Sequence, residues 1–428
     1  MIPFRIGMIG CGTVGSGVLE VLHRRAADLT RRAGRPLEVV QIAVRNPQEP
    51  RHHVYGFVSP DVFTGDPHEV SVASSTDVLV ELAGGADAPR DWIVDALRSG
   101  KDVVTANKAT LAFHGAEIFR VARKCGHTVY YEASVAAAIP IIEMIQNGLV
   151  ANQVTHLSAI LNGTCNYVLT RMETDGTDLD SAIELAQKKG FAEADPTLDI
   201  DGSDSAHKLT LLARLLTHSD ISLQSVYTEG IGRITSEDIK FAHDLNFRIK
   251  LLAIAQMTAE GAWDLRVHPT MLPKDTILAQ VQNEFNAGFI RSDAAGPMLV
   301  YGSGAGAFPT ASSVVADIVR AAKADRPVNS EQSLVSVSLV SIEDVSSRSY
   351  VRMTVLDVPG VLGRITSHFG MRGISISSLR QPDAKVGQPV PVVLVTHMAR
   401  DSILTEALAE LKMVGLLLEA PTRIRIAD

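Results

Sequence analysis

Residues 6–18 read IGMIGCGTVGSGV, and the spacing of their glycines decides the fold of the first part of the chain. An apolar run ends at Gly10, Gly12 and Gly15, set as G-x-G-x-x-G, and an amphipathic stretch over 14–32 follows at once. In such a turn the first glycine permits a tight bend, the second lets backbone approach a pyrophosphate, and the third allows close helix packing. The free N–H groups around Thr13 and Val14 then face the anion. A β-branched run over 37–44 completes a predicted βαβ unit, which favours a dinucleotide site over a glycine turn with no ligand.

The second strand bears on the choice of dinucleotide. An acidic residue at its end would hold a ribose 2′-hydroxyl, whereas here the run ends Ala43, Val44, Arg45, and a guanidinium suits a 2′-phosphate. NADP is favoured, with NAD allowed. Outward from this unit, apolar runs over 78–82, 102–105 and 127–131 alternate with helical stretches over 89–99 and 114–125, the rhythm of a parallel sheet covered by helices.

After about residue 140 the pattern changes to longer helices broken by strands such as 154–161, and a second glycine-rich stretch, YGSGAGAFP, lies at 301–309. The polar run ADRPVNSEQS at 324–333 reads as a linker. Beyond it come strand 350–355, helix 362–371, strands 374–379 and 392–396, helix 402–411 and strand 417–424, a βαββαβ ferredoxin-like plan with an exposed sheet edge open to side-by-side pairing. The expected fold is α/β, with a Rossmann-type dinucleotide-binding domain over 1–139 to which the chain returns at 300–323. An α+β substrate and dimerisation domain over 140–323, a linker over 324–345 and a C-terminal ferredoxin-like domain over 346–428 complete it.

Composition narrows the class. With 428 residues, 46% hydrophobic and 21% charged, the chain reads as a multidomain globular protein. A formal net charge of −8 without dense basic blocks argues against a nucleic-acid partner. Residues 1–9 read as a first strand rather than a leader, and no apolar run is long enough to span a membrane, so a cytoplasmic setting is expected. Cys11, Cys125 and Cys165 are far apart, which points to reduced thiols. The 13 histidines form no ligand pattern.

Three segments hold more polar residues than packing needs: VVTANKATL at 103–111, YEASVAAAIP at 131–140 and KKGFAEADPTLDIDGSDSAHKLTLL at 188–212. In the last, Glu193 and Asp195 precede Pro196, and Asp204 and Lys208 stand four apart where a helix begins. That pair reads either as a surface ion pair or as a site at the edge of a core.

Taken in order, TANKA, YEASVAAAIP, LNGTCNY, GFAEADPTLDIDGSDSAHK and YGSGAGAFPTAS resemble homoserine dehydrogenase across about 6–320. The tail LDVPGVLGRITSHFGMRGISISSLRQ resembles the ACT regulatory domain that many bacterial members carry. The resemblance implies reversible reduction of L-aspartate 4-semialdehyde to L-homoserine with NAD(P)H, in the pathway to threonine and methionine.

It also implies site roles. Lys208 matches the proton-transfer lysine, and Lys108 matches a second active-site lysine that contacts cofactor and substrate. Glu193, Asp199 and Asp204 match groups that hold the amino-acid substrate, and Gly302 lies in the second cofactor-binding turn. A monovalent cation, sodium, is implied at Glu132, Val135, Ala137 and Ile139, although Glu132 also reads as a structural hydrogen-bonding residue. Ala159 and Cys165, and Ala137 and Ala138, depart from the family wording by small-for-small changes.

In the tail, Asp357, Gly360, Val361 and Leu362 match the turn where an amino-acid effector, threonine, binds, and a homodimer or homotetramer is implied. A tail that only dimerises, another semialdehyde dehydrogenase on the same frame, and a non-catalytic NADP-sensing ACT protein are the competing readings.

Overall fold

A computed structural model describes residues 1–324 and 335–427. The chain forms two compact units. The first comprises Met1–Thr155, His207–Ser225 and Asn286–Val337; the second comprises His156–Ala206, Val226–Phe285 and Ser338–Asp428.

The first unit is built on six parallel strands in the order β3-β2-β1-β4-β5-β6. They are β1 (Phe4–Ile9), β2 (Leu37–Ala43), β3 (Phe63–Thr64), β4 (Val78–Glu81), β5 (Asp102–Thr105) and β6 (Val129–Tyr130). Ile6, Met8, Val78, Val80 and Val104 are fully buried, as expected of strands covered by helices on both faces. The strand order reverses between β1 and β4, the place where open α/β sheets bind ligands beyond their carboxyl ends.

The amphipathic stretch after the glycine turn is two helices rather than one, α1 (Thr13–Arg24) and α2 (Ala26–Ala33), broken where Arg25 takes φ −112° and ψ 18°. Next come α3 (Pro67–Val72), α4 (Asp87–Arg98) and α5 (Lys108–Cys125). Asn107 caps α5 by accepting the Thr110 N–H at 3.0 Å, so this helix starts well before the predicted residue 114. The chain returns to the unit as a hairpin ending in strand Gly296–Ser303 and then as helix Ala307–Ala322. That helix shares one core with β1 and α1, its Ala311, Val314, Val315 and Ile318 being buried with Ile6, Met8 and Val18.

The second unit carries a mixed sheet. Residues 156–159 of strand Val154–Ile160 pair with Phe247–Met257, which pairs along its whole length with Trp263–Pro273. Strand Thr422–Ile426 lies parallel to Trp263–Pro273, with Arg425 opposite Thr270, and antiparallel to Ser346–Leu356. The sheet then passes to Pro389–Thr396 and Ile376–Arg380. Those last four strands, with helices Val361–Met371 and Asp401–Met413, form the predicted βαββαβ plan around their own core of Val351, Ile365, Phe369 and Leu404.

Several boundaries differ from the sequence reading. Residues 140–155, 207–225 and 286–299, expected in a separate substrate domain, belong to the first unit, while the C-terminal plan joins the second. Its last strand starts at Thr422, five residues after the predicted start, and one edge of its sheet is not exposed because Thr422–Ile426 pairs with Trp263–Pro273. Of the expected linker, 325–334 lies outside the described residues. The part beyond it is tied down, the Ser338 carbonyl accepting the Trp263 N–H at 2.9 Å and the Trp263 carbonyl accepting the Val340 N–H at 2.9 Å. Among the described residues no helix is long and apolar enough to cross a membrane.

Candidate active site

The glycine turn meets three distinct steric demands. Gly10 takes φ +96°, and a Cβ there would sit 2.8 Å from the Leu82 carbonyl oxygen. At Gly15 a Cβ would meet the Gly10 carbonyl oxygen at 2.5 Å, so helix and turn touch through bare backbone. Gly12 faces open space, with no atom within 4 Å of an added Cβ. It caps α1 with no side-chain partner, which leaves first-turn N–H groups beside that space for an anion. Thr13 and Val14 open the helix there. At Gly17, one turn on, an added Cβ would sit 3.1 Å from the Ala307 carbonyl oxygen, so the glycine lets the second glycine-rich turn seat against α1.

Arg45 follows β2 by two residues and is exposed, while the Ala43 carbonyl accepts the Gly10 N–H at 2.9 Å, so its backbone stands close beside the turn. Arg51, which the sequence reading passed over, is held by the carbonyls of Asn46 at 2.9 Å and Glu49 at 2.8 Å. Burial raises the Cys11 thiol pKa while the Ser16 hydroxyl and the Arg51 charge pull the other way. Gly302 is the penultimate residue of strand Gly296–Ser303, where a Cβ would crowd Ile139 at 3.2 Å.

Lys108 is the first residue of α5 and Lys208 is buried on helix Ser203–Thr217, both within the first unit. The two segments are clamped together. Arg214 donates to the carbonyls of Leu111 at 2.5 Å and Ala112 at 3.0 Å, and the Phe113 ring lies edge-on to His207 at 5.2 Å. A side chain at Gly115 would collide with Arg214, which accounts for the glycine inside α5.

In the second unit Asn162 draws two of the expected substrate carboxylates to one point. Its carboxamide donates to Asp199 at 2.6 Å and Asp204 at 2.9 Å, while its oxygen accepts the Cys165 N–H at 2.7 Å and caps helix Gly163–Asp175. Cys165 is buried and its thiol donates to the Asp199 carbonyl at 3.1 Å, the bond a threonine would make there. Glu193 is not drawn into this cluster. It lies exposed in the loop after helix Leu179–Lys188, its carbonyl accepting from Gln187 at 3.2 Å. Asn162 lies in the LNGTCNY motif but is not among the site residues expected from the sequence, although an Asn before a helix beside acidic residues is a readable cap signal.

Glu132 is buried, and its carboxylate accepts the N–H groups of Ile142 at 2.8 Å and Glu143 at 2.7 Å. Its own N–H donates to buried Asp317 at 2.9 Å. Burial raises Glu132 to about 7 and Asp317 to about 8, with Arg320 nearby pulling both down. The turn beyond is strained, Ala136 and Ala137 taking φ 56° and 43°, a region glycine tolerates better. The Ala137 carbonyl accepts from Ser313 at 2.7 Å and the Ile139 carbonyl from the Ile141 N–H at 2.8 Å; Val135 begins this turn. No group of three or more His, Cys, Asp or Glu among the described residues is arranged to hold a metal ion.

In the C-terminal plan Asp357, Gly360, Val361 and Leu362 line an open cavity of about 350 Å³, together with Gln381 and Val386. Gln381 donates to Asp357 at 3.0 Å, and Gly360 takes φ +88° at the start of its helix.

Comparison with known proteins identifies the family. A family profile described as Homoserine dehydrogenase, NAD binding domain, matches residues 10–132, and one described as Homoserine dehydrogenase matches 140–319. The homoserine dehydrogenase of Pseudomonas aeruginosa is 41% identical, with 100% of this chain and 99% of that protein covered. A crystal structure of a homoserine dehydrogenase from Thiobacillus denitrificans superposes with a TM-score of 0.94 at 39% identity, covering 100% of this chain and 99% of that one. A hyperthermophilic archaeal homoserine dehydrogenase in complex with NADPH matches 75% of this chain and 98% of its own, with a TM-score of 0.63 at 27% identity. The chain belongs to the homoserine dehydrogenase family, oxidoreductases built on a Rossmann-type NAD-binding domain.

Proposed function

We propose that this chain reversibly reduces L-aspartate 4-semialdehyde to L-homoserine with NADPH, in the route to threonine and methionine. The observation that carries the reading is the clamping of α5, which starts at Lys108, against the buried helix segment bearing Lys208, in the same unit as the open space at Gly12.

When bound, the reduced nicotinamide supplies a hydride to the aldehyde carbon. The chain's own groups handle the rest. The aldehyde oxygen develops alkoxide charge, and the Lys208 ammonium donates the proton that neutralises it; in the reverse direction Lys208 as a neutral amine takes that proton back. Lys108 stabilises the developing charge and contacts both cofactor and substrate. Asp199 and Asp204, oriented by Asn162, hold the substrate ammonium. Gly10, Gly12, Thr13, Val14, Gly15 and Gly302 take the dinucleotide, and Arg45 favours NADP because β2 ends without an acidic residue to bind a free 2′-hydroxyl. NADPH in the archaeal relative supports that preference.

The cation reading also fits the residues present. Arg320 pairs with Glu143 and Asp317 and its charge reaches Glu132, so three carboxyl groups have one guanidinium between them, and a bound cation would favour the ionised form of Glu132 that burial opposes. As the described residues include no side-chain ligand cluster, an ion there would rest on Glu132 and the carbonyls of Val135, Ala137 and Ile139, a hard oxygen set suited to sodium. The C-terminal plan acts as an ACT domain in a homodimer or homotetramer, its cavity beside Asp357 and Gly360 binding threonine as a feedback inhibitor. The deciding assay is oxidation of NADPH on addition of aspartate semialdehyde, repeated with NADH, with and without threonine. No turnover with either cofactor overturns the reading.

A further inference from the structure

Ile9, Glu81 and Thr105 stand abreast at the carboxyl ends of β1, β4 and β5, at the point where the strand order reverses. Glu81 is completely buried, and both of its oxygens are committed. Oε1 accepts the Ala83 N–H at 2.7 Å and Oε2 accepts the Thr105 hydroxyl at 2.6 Å. Thr105 Oγ1 in turn accepts the Asn107 N–H at 3.0 Å. The Asn107 carboxamide spans the gap between two turns, donating to the carbonyls of Ala83 at 3.1 Å and Gly85 at 2.9 Å while capping α5. The Thr110 hydroxyl closes the ring on the Gly85 and Ala86 carbonyls at 3.2 and 3.1 Å.

These bonds reach the cofactor turn directly. Leu82, next to Glu81, donates its N–H to the Ile9 carbonyl at 2.8 Å, and its own carbonyl is the atom that forbids a side chain at Gly10. A carboxyl is a costly choice for such a place, since burial pushes Glu81 up to about 7. An apolar residue would fill the volume without that cost but would leave the Ala83 N–H and the Thr105 hydroxyl unpaired.

We infer that Glu81 is a positioning residue of the cofactor crevice: its carboxyl fixes the turns over 82–86 and 105–107, and through them the wall facing Gly10 and the first turn of α5 that carries Lys108. The inference rests on the reading of Gly10 to Gly15 as the cofactor turn. Glu81 itself touches neither cofactor nor substrate in this role.

Glu81→Ala, Glu81→Gln and Thr105→Val in the full chain test it, with thermal unfolding, NADPH affinity by fluorescence titration, and kcat and KM as readouts. The dissociation constant for NADPH is expected to rise at least fivefold in Glu81→Ala and Thr105→Val. Glu81→Gln is expected to restore it to within twofold, because the carboxamide oxygen still accepts the Ala83 N–H and its NH2 donates to Thr105 Oγ1. NADPH affinity and kcat within twofold of the parent in Thr105→Val, or a lowered Tm in Glu81→Ala with unchanged affinity, would reduce Glu81 to a structural brace and overturn the inference. Should Glu81→Ala fail to fold, Thr105→Val carries the same decision. Failure of the unsubstituted chain to bind NADPH removes the cofactor reading, and this inference with it, before any variant is compared.

Discussion

Substituting alanine separately at Gly10, Gly12 and Gly15 should split one motif into two kinds of effect. At Gly12 the added Cβ meets no atom within 4 Å and the backbone sits at φ −82°, a value alanine adopts freely, so stability should change by no more than about 1 kcal/mol. The methyl would instead occupy the space left for the pyrophosphate. Loss of one backbone N–H bond to a charged oxygen costs about 1.5–3 kcal/mol, which raises the NADPH dissociation constant about ten- to hundredfold.

Gly15→Ala places its Cβ 2.5 Å from the Gly10 carbonyl oxygen, a backbone atom that cannot swing aside. Overpacking of that kind costs about 1–3 kcal/mol and should lower Tm by about 2–12 °C. Gly10→Ala adds a positive φ to a 2.8 Å contact and should be at least as damaging. Thermal unfolding and NADPH titration on the same preparations separate the two effects. If Gly12→Ala binds NADPH within twofold of the parent, the open space at Gly12 is not where the pyrophosphate lies, and the reading of the motif is wrong.

Three further outcomes are expected. Lys208→Ala should lose about 10²–10⁴ of kcat while binding NADPH within threefold of the parent, and near-normal kcat would remove Lys208 from proton transfer. Asp357→Ala and Gly360→Asp should each shift the threonine concentration for half-inhibition at least fivefold; unchanged curves in both would place the effector elsewhere. Burial lifts Glu81 from 4.5 to about 7, so the stability favoured by its neutral form is complete below about pH 4.5 and lost as pH rises through 7. Between pH 5 and 9 the parent should lose about 2–3 kcal/mol more than Glu81→Gln, and parallel curves would show that Glu81 does not titrate there.

Much of the fold was legible because it is local. The G-x-G-x-x-G spacing sets backbone geometry within a few residues, and the alternation of short β-branched runs with amphipathic stretches gave β1, β2, β4, β5 and the βαββαβ order nearly in register. The break at Arg25 is hidden because VLEVLHR before it and AADLTRRA after it both keep helical composition. The site was legible in its named residues and not in what holds them. Asn162, Glu81 and Arg51 work through partners between 2 and 42 positions away, and nothing in local periodicity marks such pairings. The positive φ at Ala136 and Ala137 was equally hidden, since alanine is a poor signal for a left-handed turn.

Helix Ala307–Ala322 supplies part of the core around β1 and α1, yet it is synthesised roughly 280 residues after them. On the ribosome the dinucleotide-binding unit therefore stays unfinished, with the apolar flank of α1 bare, until most of the chain has emerged. A fragment ending near residue 155 should be aggregation-prone rather than a self-sufficient nucleotide binder, and chaperone demand during synthesis should peak before Ala307–Ala322 arrives.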